Sequence, residues 1–147
     1  MRKTILSAAA VAWLATPVLA APVLAANVTI DNPWFRVLPG NLPAGGYFTL
    51  HNASQTAVTL TGASSPGCGM LMLHKSSTMN GMASMDDVSS VPVPAGGFVA
   101  FAPGGYHLMC MSPTLAMKPG ARVPVSLQFA DGTRIVSAFA VKNAKGE

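Results

Sequence analysis

The stretch GGYHLMCMSP, residues 104–113, crowds His107, Met109, Cys110 and Met111 into five consecutive positions. Its alternation reads as a β-strand, although a strand selected for folding alone would favour Val and Ile over an imidazole, two thioethers and a thiol. Alternate side chains of a strand share a face. His107, Met109 and Met111 therefore project together, and Tyr106, Leu108 and Cys110 project the other way. The same rule applied to MLMLH, residues 70–74, puts Met70, Met72 and His74 on one face and Leu71 and Leu73 on the other. If the two strands are neighbours, imidazoles and thioethers converge at one edge of the fold.

Such a donor set points to one kind of metal. Thioethers are soft and neutral and favour Cu(I) over hard cations, and neutral imidazole suits copper as well. Zinc would more often recruit Cys or a carboxylate. Without a thiolate the grip is moderate, and thioethers survive oxidising conditions better than free thiols do. Moderate grip suits handing a metal on. The bland alternative is packing: Met70, Met72 and Met111 read individually as core fillers. His51, in TLHNAS at a strand end beside a turn, reads as structural.

The elements that must position these residues are short. The chain of 147 residues suits one domain. It opens with MRKTILSAAAVAWLATPVLAAPVLAANVTI, whose basic start, apolar run and small residues describe a secretory signal peptide. Cleavage fits after Ala20 or Ala25; taking Ala25 gives a signal segment 1–25 and a single domain 26–147, exported to the periplasm, with no membrane insertion after cleavage. Loss of Arg2 and Lys3 lowers the formal charge from +4 to about +2. With Lys and Arg scattered, nothing suggests nucleic acid as a partner. Five acidic residues and three histidines offer no nucleophile with a paired base, so an enzyme is not expected.

Turn signals such as PGNLPAGG, PVPAGG, APGG, MKPG and ADG separate about nine expected strands. These are Val28–Ile30, Trp34–Leu38, Gly46–His51, Val58–Ala63, Met70–His74, Phe98–Phe101, Tyr106–Met111, Val123–Phe129 and Arg134–Val141. The pattern implies an all-β, Greek-key sandwich or barrel. Residues 75–97 have little strand propensity and read as an irregular excursion carrying Met79, Met82 and Met85. Asn80-Gly81 and Asp86-Asp87 argue against a buried helix there, so at least one of these methionines is expected at a surface site. Cys68 and Cys110 form a disulfide by default in an exported protein. Strand parity turns Cys110 away from the His107 face and leaves the direction of Cys68 open, so the pairing stays undecided at this level.

His74 is followed by ten residues and Met85, then twenty-one residues and His107, then one residue and Met109. This H-x10-M-x21-H-x-M spacing resembles the periplasmic copper chaperone PCu(A)C family. NPWFRVLPGNLPAGGYFTLHNAS and VPAGGFVAFAPGGYHLMCM are similar to its N-terminal stretch and its most recognisable segment. The resemblance implies a cupredoxin-like domain that binds one Cu(I) through His74, Met85, His107 and Met109. It also implies delivery towards the dinuclear copper centre of a cytochrome c oxidase subunit, directly or through a Sco-like thioredoxin-fold partner; a monomer is the expected state. His107 and Met109 would form a fixed platform, Met85 a mobile arm, and Met79 and Met82 accessory ligands on an entry route. The rivals are an electron-transfer cupredoxin, which needs a His₂Cys site with an axial Met, and a non-metal β-sandwich interaction module.

Overall fold

In the computed structural model, which describes residues 27–147, the chain forms ten strands, most of them with an alternating buried face; the expected signal segment lies outside the described residues. The strands are β1 (Val28–Arg36), β2 (Ala44–Asn52), β3 (Val58–Ser64), β4 (Cys68–Met79), β5 (Met82–Asp87), β6 (Val91–Val93), β7 (Phe98–Phe101), β8 (Tyr106–Pro113), β9 (Arg122–Phe129) and β10 (Arg134–Lys142). They join in the order β5-β4-β8-β7-β2-β1-β10-β9-β3-β6, with β2 also pairing to β8. All pairings are antiparallel except β1–β10 and β7–β8. This is the expected cupredoxin-like β-sandwich. Among the described residues no helix is long and apolar enough to cross a membrane.

The core comes from the inward-facing set: Phe35, Leu50, Leu60, Leu108, Leu127 and Phe139 are fully enclosed. β9 shows the rule most plainly, with Val123, Val125, Leu127 and Phe129 all buried along RVPVSLQF. Two expected segments, 28–30 and 34–38, are one strand broken by a register shift between Asp31 and Trp34. Asn32 there takes the left-handed conformation, φ 49°, as a bulge needs and Asn tolerates.

The largest departure from expectation is the excursion 75–97. β4 runs on past His74 to Met79, turns at Asn80-Gly81 and returns as β5. Both turn residues have positive φ, 52° and 76°, the signature of the tight hairpin turn for which Asn-Gly is the preferred pair. Met85 is therefore on an edge strand rather than in a loop. β6 follows as VPV, with Val91 and Val93 buried on the core.

Close backbone approach places β2 against β8. A Cβ at Gly46 would meet Phe35 Cε1 at 2.7 Å and Leu108 Cβ at 3.0 Å, and one at Gly45 would meet the Tyr47 hydroxyl at 2.5 Å. Only hydrogen fits at either position. Gly45 and Gly46 thereby bring β2 opposite Met109 and Leu108. At the other end of β2, the buried Asn52 side chain is fully used. Its Nδ2 donates to Thr56 O, Val93 O and Pro94 O, and its Oδ1 accepts from the Ser54 amide and hydroxyl.

Cys68 and Cys110 form a disulfide with a Cα–Cα distance of 5.4 Å. It joins β4 to β8 near the end remote from the hairpin. The question left open by strand parity is closed where β8 leaves regular geometry: Ser112 has φ 49° and pairs with the Gly69 region, where a Cβ would approach Ser112 Cβ to 3.1 Å.

Candidate metal centre

β4 and β8 are direct neighbours, and their register sets His74 opposite His107, Met72 opposite Met109 and Met70 opposite Met111. Residues directly opposite in an antiparallel pair share a face, so both expected donor sets lie side by side on the face away from Leu71, Leu73, Leu108 and Cys110. The rings of His74 and His107 meet edge to face with centroids 5.7 Å apart. The hairpin adds the remaining donor: Met85 on β5 stands opposite Ser76, two residues beyond His74 on the same face.

His107, Met109, Met85 and Ser76 line one pocket of about 230 Å³, closed on the other side by Arg36, Pro43, Gly45, Tyr47 and Pro103. His74 is not part of that lining; its ring stands edge to face against His107. His74 is 9% exposed and His107 4%, whereas Met85 is 52% exposed. The four expected donors thus gather as two buried imidazoles, a half-buried thioether on β8 and a solvent-facing thioether on an edge strand.

Each imidazole is prepared differently. His107 Nδ1 lies 3.1 Å from Gly105 O; a carbonyl only accepts, so Nδ1 carries the proton and the Nε2 lone pair is left for a metal. His74 has both ring nitrogens buried with no hydrogen bond. Asp87 Oδ1 stands 2.6 Å from its Nε2 as an ion-pair contact across the β4–β5 ladder. A buried polar atom without a partner costs about 1–3 kcal/mol, and a bound cation relieves that cost. The buried His74 ring, with Asp87 against its Nε2 and no partner at Nδ1, is the feature of this structure that fits a metal. Among the described residues no three His, Cys, Asp or Glu side chains gather into a metal site, and the thioethers beside the two imidazoles are donors that suit a soft cation.

Several residues at this site were not singled out by the sequence reading. Asp87, opposite His74, follows from the register of an Asn-Gly hairpin: a two-residue turn at 80–81 pairs 79 with 82 and so 74 with 87. Tyr47 forms a wall, its ring 6.5 Å from His107 and 5.0 Å from Trp34, and its hydroxyl accepts from Arg36 Nη2 at 3.1 Å. Neither Tyr47 nor Arg36 carries a spacing signal. Met79 and Met82 do pair, at the hairpin tip, 74% and 75% exposed. Strand alternation turns them to the opposite face of the hairpin from Met85. His51 lies elsewhere, its Nε2 3.0 Å from Asp31 Oδ2.

Asp87 gives a first prediction. Asp87→Ala leaves the His74 ring without its orienting carboxylate and, if His74 holds a soft metal, is expected to weaken its binding about 10–100-fold, the usual effect of losing such a partner. Competition titration of the variant against wild type reads the change; an unaltered affinity removes Asp87 from the site.

Comparison with known proteins gives a consistent family and fold. The family model described as "Putative lipoprotein LpqE-like" matches residues 28–141. A relative from Leifsonia xyli subsp. xyli, "Putative lipoprotein Lxx21020", is 31% identical over 120 residues, covering 81% of this chain and 72% of the relative. Among solved structures, Cu(I)-bound DR1885 from Deinococcus radiodurans superposes with a TM-score of 0.61 at 29% identity, covering 84% of this chain and 81% of that one. Its apo form gives 0.63 at 28% identity, with both chains fully covered. The copper-bound PCuAC domain of PmoF2 gives 0.66 at 21% identity, covering 80% of this chain and 93% of that domain, which shows a shared fold.

Proposed function

The chain belongs to the LpqE-like family, and from that membership we propose that it is an exported, non-enzymatic copper chaperone whose cargo is a single Cu(I). The ligands proposed are His74, Met85, His107 and Met109. The observation that carries this reading is the meeting of two imidazoles, one of them without hydrogen-bond partners, with two thioethers across β4, β5 and β8. Copper-bound structures of DR1885 and PmoF2 with the same fold support it. Lipoprotein descriptions of the relatives support export, and the periplasm is the compartment proposed.

The arrangement suits transfer. His107 and Met109 are held by β8, which has neighbours on both sides. Met85 rides on β5, an edge strand paired only to β4. Exchange then needs Met85 to lift while an incoming thiolate or thioether takes its place, a ligand substitution with no change in the oxidation state of copper. The acceptor proposed is the dinuclear copper site of a cytochrome c oxidase subunit or a Sco-like protein. An electron-transfer cupredoxin would need a cysteine thiolate on copper. Both cysteines of the sequence are bound to each other, so that reading is not favoured.

The test is anaerobic Cu(I) titration against a competing chelator, followed by mixing of the loaded protein with a metal-free soluble acceptor domain. One tightly held equivalent, recovered with the acceptor after separation, is expected. Absence of stoichiometric uptake overturns the reading.

A further inference from the structure

The face that holds the four donors continues beyond them. Towards the disulfide end, the β4–β8 register brings Met72 opposite Met109 and then Met70 opposite Met111. Packing predicts that these methionines should be buried. Instead Met70 is 58% exposed and Met111 38% exposed, while Met72 is half-buried. The inward positions between them are filled by Leu71, Leu73, Leu108 and Cys110, all in the core. Exposed thioethers here contribute little to the core, and the outward face of a strand pair ordinarily carries polar side chains. Burial along the ladder is graded: the His74–His107 rung is enclosed, the Met72–Met109 rung intermediate, and the Met70–Met111 rung open.

We propose that Met70, Met72 and Met111 form a second, weaker soft-metal site, a station for Cu(I) on the open end of the β4–β8 face adjoining the first site. Side chains directly opposite across an antiparallel pair have Cβ atoms about 4.5–5.5 Å apart. Methionine has three rotatable bonds and a polarizable sulfur, so two facing thioethers can close on one ion and the Met72 sulfur can join from the next rung. The site has no imidazole and no anionic donor, which makes it weaker than its neighbour and selective for Cu(I) or Ag(I) over hard cations. The disulfide joins the two strands just beyond it, which holds the facing methionines in register. The Met109 side chain, between the rungs, is the donor an ion would share when stepping from one station to the other. This inference rests on the copper reading above for its metal, but its ligands are separate.

The test uses full-length mature protein with ¹³C-methyl-labelled methionine, titrated with Ag(I), which is soft and does not change oxidation state. The first equivalent should move the methyl resonances of Met85 and Met109. A second equivalent should move those of Met70, Met72 and Met111, with at least about tenfold weaker affinity. The Met70→Leu, Met111→Leu variant changes exposed side chains only. It should lose the second equivalent and keep the first with unaltered affinity. Resonances of Met70, Met72 and Met111 that stay fixed through several equivalents overturn the proposal, as does a second equivalent that persists in the variant. Movement of Met70, Met72 and Met111 without Met85 and Met109 upholds this site and sinks the four-ligand one.

Discussion

His107→Ala is expected to lower Cu(I) affinity by about 100-fold or more. Losing a residue that merely orients a metal ligand costs roughly 10–100-fold, and His107 is proposed as a ligand itself, so that range is a floor. Its Nδ1 is committed to Gly105 O and its Nε2 is thereby available. The adjacent His74 does not replace it, because its ring is not among the residues that line the pocket with Met85 and Met109. Removal of a side chain that is 4% exposed also leaves a void, so the fold must be checked by thermal melting alongside the titration. Met109→Leu separates the two effects. It is nearly volume-conserving, costing under about 1.5 kcal/mol in stability, yet it replaces a soft donor by an alkyl group. A large loss of Cu(I) affinity with a nearly unchanged melting temperature identifies Met109 as a ligand. His51→Ala serves as the control: that imidazole contacts Asp31 on the other end of β2 and should leave affinity unaltered. If wild-type affinity survives both His107→Ala and Met109→Leu, the site lies elsewhere.

Where apolar alternation was strong, the fold was legible from the residues. RVPVSLQF and MLMLH give their strands and their inward faces directly, because period-two burial is written into them. β5 was not legible in that way. MASMDD is exposed at every position, so it has no buried face to impose a period, and its pairing is set by the Asn-Gly turn instead. That turn was visible as a dipeptide but not weighed as a hairpin, which is why Met85 was expected on a loop. β6 was missed because Pro92 interrupts a three-residue strand, and proline is normally a mark against strand assignment. The spacing singled out His74, Met85, His107 and Met109 as the expected donors, while Asp87 needed the register. The misjudged residues were Met70 and Met111: methionine alone does not tell a core filler from an exposed donor, and only the position of β4 beside β8 decides between them.

Opening the Cys68–Cys110 bond should produce the largest loss of stability of any change at these two strands. The bond closes a loop spanning 42 positions, and the chain-entropy estimate for such a loop is about 4 kcal/mol. For a domain of this size that corresponds to a fall in melting temperature of roughly 10–20 °C. The double replacement Cys68→Ala, Cys110→Ala is the informative variant, since simple reduction would do two things at once. It would release the loop, and it would also expose two thiols, which as thiolates bind Cu(I) more tightly than thioethers do and would draw the ion away from the His and Met donors. The disulfide therefore withholds two competing thiolates from the metal, in addition to tying β4 to β8. In the alanine pair the ladder hydrogen bonds of β4 and β8 still set His74 opposite His107, so below its lowered melting temperature the variant should bind the first Cu(I) with affinity within about tenfold of wild type. A melting temperature lowered by less than about 5 °C would show that the loop is already constrained in the unfolded chain. A Cu(I) affinity lost together with the bond, in protein still folded, would show that the disulfide rather than the ladder sets the donor geometry.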